Sequence, residues 1–214
     1  MDIYHLGHSA FRIKGKSVTV VIDPYNASIG FKFPKHVTAD IVTLSHDHAD
    51  HNAIGEIEGS PFVISGPGEY EVKGVGVIGI GTYHDDVKGQ KRGRNTIYRI
   101  DIDDVAIVHL GDLGHELSKE TLEELGNVDI LLVPCGGYYT IDAEMATKVV
   151  GDIEPCVVIP MHYKTSAHDP KMFGELTGVD AFLKELGAGD IAPVAKFSTT
   201  KDKLPEQMMT VVLE

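Results

Sequence analysis

Two stretches, VDILLVP (128–134) and CVVIP (156–160), are apolar at almost every position and only a few residues long. Such runs read as strands covered on both faces, because a sheet with one wet face would carry polar residues at alternate positions. Three helical patterns lie around them. LSKETLEELGN places Leu117, Leu122 and Leu125 near helical spacing, with Ser118 set to cap it and Gly126 to stop it. TIDAEMATKVVGDI is the second and GVDAFLKELGAG the third. The first half reads instead as strands: DIYHL, AFRIK, SVTVVID, IVTLS, FVIS, YEVKGVGVIGIGTYH, NTIYRIDI and DVAIVHLGD, punctuated by Gly, Pro and Asn. STTKDKLPEQMMTVVLE adds a polar turn and a last strand. Strands first, then alternating helix and strand, predict a layered α/β protein. With no repeat, low-complexity segment or linker, one domain over residues 1–214 is expected.

The formal net charge of −13 argues against general nucleic-acid binding, which needs clustered positive charge. MDIYHLGHSAFRIKGK lacks the basic-then-apolar order of a signal peptide, and no stretch approaches the roughly 20 apolar residues of a membrane span. Cys135 and Cys156 each border a β-branched run and are expected to be reduced and buried, although one conditional disulfide stays open. Together these predict a cytoplasmic protein with neither a membrane span nor a general nucleic-acid partner. They leave its oligomeric state open.

Residues 46–51 read HDHADH. In extended backbone, positions i and i+2 share a face, so His46 and His48 could reach one ion. Asp50 and His51 follow where the chain begins to turn and are better placed for a second ion beside it. Imidazole suits zinc, and carboxylate widens the choice toward manganese or iron. Further ligands must arrive from other strand ends, and three runs finish in one: His84 after VGVIGIGTY, Asp112 after VAIVHLG and His162 after CVVIPM.

These motifs, with YHLGHSAF, VVIDPY, RGRNTIYRI, HLGDLGHELS, GGYYTIDA and VVIPMHYKT, resemble the metallo-β-lactamase fold superfamily. Within it they are most similar to the uncharacterised metal-dependent hydrolases related to the sugar-phosphate lactonases. The resemblance spans nearly the whole chain. It implies a four-layer αβ/βα sandwich with two divalent ions, zinc by default, at one edge between the sheets. His46, His48 and His84 would hold the first ion and Asp50, His51 and His162 the second, with Asp112 bridging both. A carboxylate rather than a cysteine at the bridging place argues against antibiotic hydrolysis as the native role. The implied reaction is attack by an activated water on a lactone or phosphodiester, with Asp50 also able to accept its proton.

Several residues can be read in two ways. Asp23 could orient a ligand or simply start an Asp-Pro turn, and His8 could edge the site or be a satisfied histidine. His115 could face the substrate. Asn95 could present its amide or belong to a turn. Tyr138, Tyr163 and Lys164 are pocket-wall candidates by position. Ser9 is expected in a turn or bonded to backbone, and His109 buried and hydrogen-bonded. His5, His36 and His168 are expected to be structural or exposed. Lys88, Lys91, Arg92 and Arg94 form a basic run after His84 that could clamp an anion or be a solvated hairpin tip. Gly136 and Gly137 precede a helix expected near Thr140, whose N-terminus could accept an anion. A different class of function, a metal-binding sensor or partner-binding module without hydrolysis, is the alternative. A two-iron oxidoreductase would predict another ligand pattern.

Overall fold

The computed structural model describes residues 1–214, the side chain of Ser28 excepted. Two mixed sheets face each other. The first contains β1 (Asp2–Gly7), β2 (Ala10–Lys14), β3 (Thr19–Ile22), β4 (Ile41–Leu44) and β5 (Phe62–Ser65). The second contains β6 (Gly68–Val72), β7 (Val75–Tyr83), β8 (Arg94–Ile102) and β9 (Val105–His109), then β10 (Ile130–Pro134) and β11 (Val157–Met161). The C-terminal segment completes both, with β12 (Phe197–Ser198) beside β1 and β13 (Met209–Thr210) beside β11. The orders are β12-β1-β2-β3-β4-β5 and β13-β11-β10-β9-β8-β7-β6. Strands β3, β4 and β5 run parallel, as do β9, β10 and β11, so their carboxyl ends leave each sheet together.

Alternation decides which side chains form which core. Val20 and Ile22 point between the sheets while Val21 points out. Ile130 and Leu132 point between them while Leu131 and Val133 meet the helices. The apolar runs at 130–134 and 157–161 are buried throughout, as expected of strands covered twice. Helices α1 (Lys119–Leu125), α2 (Ala143–Ile153) and α4 (Val179–Glu185) supply residues to the apolar layer on the outer face of the second sheet. The first sheet is covered by loops, by a 3-10 turn at Ala27–Ile29 and by the one-turn α3 (Pro170–Phe173), whose Phe173 joins its outer layer. This is a layered α/β sandwich, as the resemblance implied.

Three boundaries differ from expectation. YEVKGVGVIGIGTYH is a hairpin, broken at Lys73 and Gly74, which both adopt positive φ. Helix α2 begins after Asp142, whose carboxylate accepts from the Met145 N–H; the helix terminus is thus taken by its own cap rather than offered to an anion. Strand β9 ends at His109, three residues before Asp112. No helix among the described residues is long and apolar enough to cross a membrane.

Candidate metal centre

The chemistry-bearing residues follow strand ends at one edge of the sandwich: His8 after β1, Asp23 after β3, His46 after β4, His84 after β7, Asp112 after β9 and His162 after β11. His8, Asp23 and His162 hold left-handed backbone, with φ of 54°, 46° and 50°. Each costs on the order of 1 kcal/mol, and such strain collects where the surrounding structure demands a particular side-chain direction. His46 and His48 do not share a strand face as expected. They lie in a bend beyond β4, and the turn brings their ring centroids to 4.5 Å.

Asp112 Oδ2 is the centre of the constellation. The Nε2 atoms of His84, His51, His162 and His46 lie 3.1, 3.2, 3.3 and 3.8 Å from it. Ligand-capable atoms within 4.8 Å of one another form three groups: His46, His48 and His84; His46, His51 and Asp112; and His8, Asp50, His51 and His162.

Hydrogen-bond accounting tests whether a cation fits here. His51 Nδ1 donates to Asp23 Oδ2 at 2.9 Å. The Ser45 hydroxyl donates to the same oxygen at 2.5 Å, which leaves Ser45 Oγ to accept from His46 Nδ1 at 2.9 Å. As neutral rings, both imidazoles would therefore turn buried Nε2 lone pairs, neither with a hydrogen-bond partner, toward a carboxylate oxygen that also lacks a hydrogen to share. Lone pairs facing lone pairs are repulsive unless a cation lies between them. The donor set fits nitrogen-preferring divalent metals such as zinc.

The ionisation behaviour agrees. Burial pushes His46 down to about 3, so it is neutral and ready to ligate at pH 7. Burial would likewise lower His51, but Asp112 and Asp50 outweigh it and hold its pKa well above the ordinary value. Burial would raise Asp112, but His162 and His51 outweigh it and keep its carboxylate ionised. In the absence of metal the centre prefers a proton on His51, a small cation substituting for a larger one.

The remaining expectations divide. Asp23 is fully buried and orients His51 and, through Ser45, His46. Asn95 does not present its amide to a substrate. Its Nδ2 donates to Thr82 Oγ1 and the Leu110 carbonyl, and its Oδ1 accepts the Asp112 N–H at 3.0 Å, so it holds the backbone of Asp112. His115 is tied to backbone at both nitrogens, accepting from the Tyr83 N–H and donating to the Glu116 carbonyl, which leaves it nothing for a substrate. Tyr163 is not a pocket wall; it packs in the apolar layer with Cys135 under the helices. Tyr138 is exposed, and Lys164 donates to the Gly174 carbonyl. Ser9 contributes its carbonyl, which accepts from His109, while its hydroxyl is unpartnered. His109 is fully buried and hydrogen-bonded at both nitrogens, as expected. His36 is exposed beside Glu58. Cys135 is buried, Cys156 half-buried, and both are free thiols.

Sequence reading passed over Ser45, Asp85 and Tyr139, while His168, expected to be structural or exposed, is buried. Asp85 accepts the N–H groups of Val87, Gly89, Lys91 and Arg92, which winds the basic run into a defined turn. An acidic residue ahead of a Gly-containing polar stretch was its only signal. The turn sets Arg92 half-buried, its guanidinium 5.5 Å from the Tyr139 ring centroid and without an acidic partner among the described residues. Arg92, Lys91 and Tyr139 line a cleft of about 270 Å³ together with His48, Asp50, His84 and Asp112.

A family model described as the beta-lactamase superfamily domain matches residues 2–162. A UPF0173 metal-dependent hydrolase of Thermococcus onnurineus is 32% identical, the alignment covering 89% of this chain and 98% of that protein. A solved Thermotoga maritima structure, assigned to the Zn-dependent hydrolases of the metallo-beta-lactamase superfamily, matches with a TM-score of 0.82 at 35% identity, over 100% of this chain and 98% of that one. A metallo hydrolase from Ignicoccus hospitalis shares the fold, with a TM-score of 0.64 at 22% identity over 93% and 99% of the two chains.

Proposed function

Because this chain belongs to the beta-lactamase superfamily and to its UPF0173 group of metal-dependent hydrolases, we propose that it is a binuclear hydrolase, acting as one domain, that cleaves a small anionic ester-like molecule, a lactone or a phosphodiester. The observation that carries this reading is the set of four imidazole Nε2 atoms around Asp112 Oδ2, with His46 and His51 held so that bare lone pairs face it. His46, His48 and His84 would hold one ion and Asp50, His51 and His162 the other, with Asp112 between them. These residues would hold divalent cations whose chemistry, when bound, is Lewis acidity able to lower the pKa of a water from about 16 toward about 7.

The protein's own groups do the rest. Asn95 accepts from the Asp112 N–H and so fixes the backbone from which that carboxylate projects. Asp50 lies half-buried in the cleft; burial would raise its pKa, but His51 and His8 outweigh it and hold the carboxylate ionised, an acceptor beside the centre. Asp23, Asp50 and Asp112 bring three negative charges against the four positive charges that two divalent ions would carry, and Arg92 adds another positive charge beside them. A cationic cleft in a chain of net charge −13 favours a substrate that carries an anion near its scissile bond. Tyr139, Met172 and Phe173 offer apolar surface for the remainder of so small a substrate.

The test is a set of initial rates on a phosphodiester, a lactone, a thioester and a cephalosporin, with zinc or manganese added. Metal-dependent turnover of the phosphodiester or the lactone is expected, reduced about 100-fold or more in Asp112→Asn. Full activity in that variant sinks the shared-carboxylate role. Silence on all four probes from folded, metal-loaded protein counts against a lactone or phosphodiester of general type and favours the non-catalytic binding module or a narrower substrate.

A further inference from the structure

His8 belongs by distance to the group that contains Asp50, His51 and His162, and distance alone would make it another metal ligand. The direction of its hydrogen bonds says otherwise. The Thr165 backbone N–H donates to His168 Nδ1 at 3.2 Å. A ring nitrogen that accepts carries no hydrogen, so the hydrogen of His168 is on Nε2. That atom lies 3.1 Å from His8 Nδ1, to which it therefore donates. His8 Nδ1 accepts, and the hydrogen of His8 is left on Nε2. A nitrogen that bears hydrogen has no lone pair for a metal.

His8 Nε2 is buried and lies 3.3 Å from Asp50 Oδ2, a close contact that falls short of a formed hydrogen bond, and it has no hydrogen-bond partner among the described residues. The same residue acts a second time through its backbone, since the His8 carbonyl accepts the His162 N–H at 3.0 Å. The two rings lie against each other, with centroids 4.2 Å apart. His8 thus touches two of the three residues assigned to the second ion, one by its ring and one by its carbonyl.

We propose that His8 is a positioning residue rather than a ligand: a relay from the Thr165 N–H through His168 obliges its Nε2–H to donate to the Asp50 carboxylate, while its carbonyl holds His162. The relay is assembled from distant parts of the chain, and His168, expected to be structural or exposed, is its buried middle member. One lone pair of Asp50 is thereby occupied and its plane oriented, which is what sharpens a carboxylate for metal binding. This inference rests on the assignment of Asp50 and His162 as ligands.

The test is long-range ¹H–¹⁵N NMR of the imidazoles, recorded on zinc-free and zinc-loaded protein, with zinc affinities from chelator competition. His8 should carry hydrogen on Nε2 and none on Nδ1 in both forms. His168→Ala should leave two zinc ions per chain at saturation but weaken one of them about 10-fold or more. His8→Gln, whose amide can still donate, should keep more of that affinity than His8→Ala. Zinc-dependent loss of the Nε2 hydrogen would make His8 a ligand and overturn the proposal. So would a His168→Ala protein with unchanged zinc affinity and unchanged His8 spectrum. Wild-type protein that takes up no zinc would sink the metal-centre reading instead, while the zinc-free spectrum still decides the order of the relay. Because the wild-type spectra alone settle the tautomers, a variant that fails to fold does not remove the test.

Discussion

Asp23 shows how much one buried carboxylate can organise without being a proposed ligand. Its Oδ1 accepts the Ser45 N–H at 2.7 Å, and its Oδ2 accepts both the Ser45 hydroxyl and His51 Nδ1. Burial would raise its pKa, but the His51 hydrogen bond and charge outweigh it, so the acceptor stays ionised. Two imidazoles therefore owe their tautomers to this residue, His51 directly and His46 through Ser45. Asn at position 23 would turn a donor toward a donor. Asp23→Asn is expected to weaken zinc binding about 10- to 100-fold with little change in fold. Chelator competition measures this, and equal affinities in variant and parent would show that the tautomers are set elsewhere.

At the scale of elements, the centre depends on strands that stop in register and on turns tight enough to bring their ends together. Gly111, between β9 and Asp112, has φ of +57°. A Cβ there would lie 2.3 Å from Asn95 Oδ1 and 2.7 Å from Ser45 Cβ. Asn95 holds the Asp112 backbone and Ser45 holds His46, so overpacking at this position disturbs both halves of the centre. Gly111→Ala is expected to cost about 1–3 kcal/mol and to lower the melting temperature by several degrees, with a parallel loss of zinc affinity. Thermal unfolding of the metal-free protein reads the first effect; an unchanged Tm would mean that the turn relaxes at no cost. Legibility was uneven at this scale. The buried strands and the three longer helices could be read from apolar runs and helical spacing because those signals are local. The α3 turn and the loops that cover the first sheet could not, since they have no periodicity and owe their order to what they pack against.

At the scale of the whole molecule, the centre couples metal, protons and stability. His51 has a raised folded-state pKa in metal-free protein, so its contribution to stability is complete below the unfolded value of about 6.5 and is lost as pH rises through the folded value. A bound ion displaces that proton. Zinc loading at pH 7 should thus release the His51 proton, in addition to any lost by water at the centre, while His46, already neutral, releases none. Calorimetry in buffers of different ionisation enthalpy counts the protons, and no release would contradict the raised pKa. Loading should also raise the melting temperature with zinc concentration, because the ion binds the folded chain.

The cluster of metal-capable residues could be read from the sequence because metal chemistry admits few residue types and because these ones crowd into HDHADH or stand at the ends of apolar runs. The layered α/β architecture could be read for a similar reason, since burial on two faces demands apolar residues in succession. What only the tertiary structure decided is the direction of each hydrogen bond. His115 and Asn95 are polar residues near the centre in sequence, yet one is spent on nearby backbone and the other on holding Asp112. His8 and His168 are 160 residues apart and meet at 3.1 Å. A histidine's role is set by which of its nitrogens bears the hydrogen, and that depends on a neighbour the linear chain does not name.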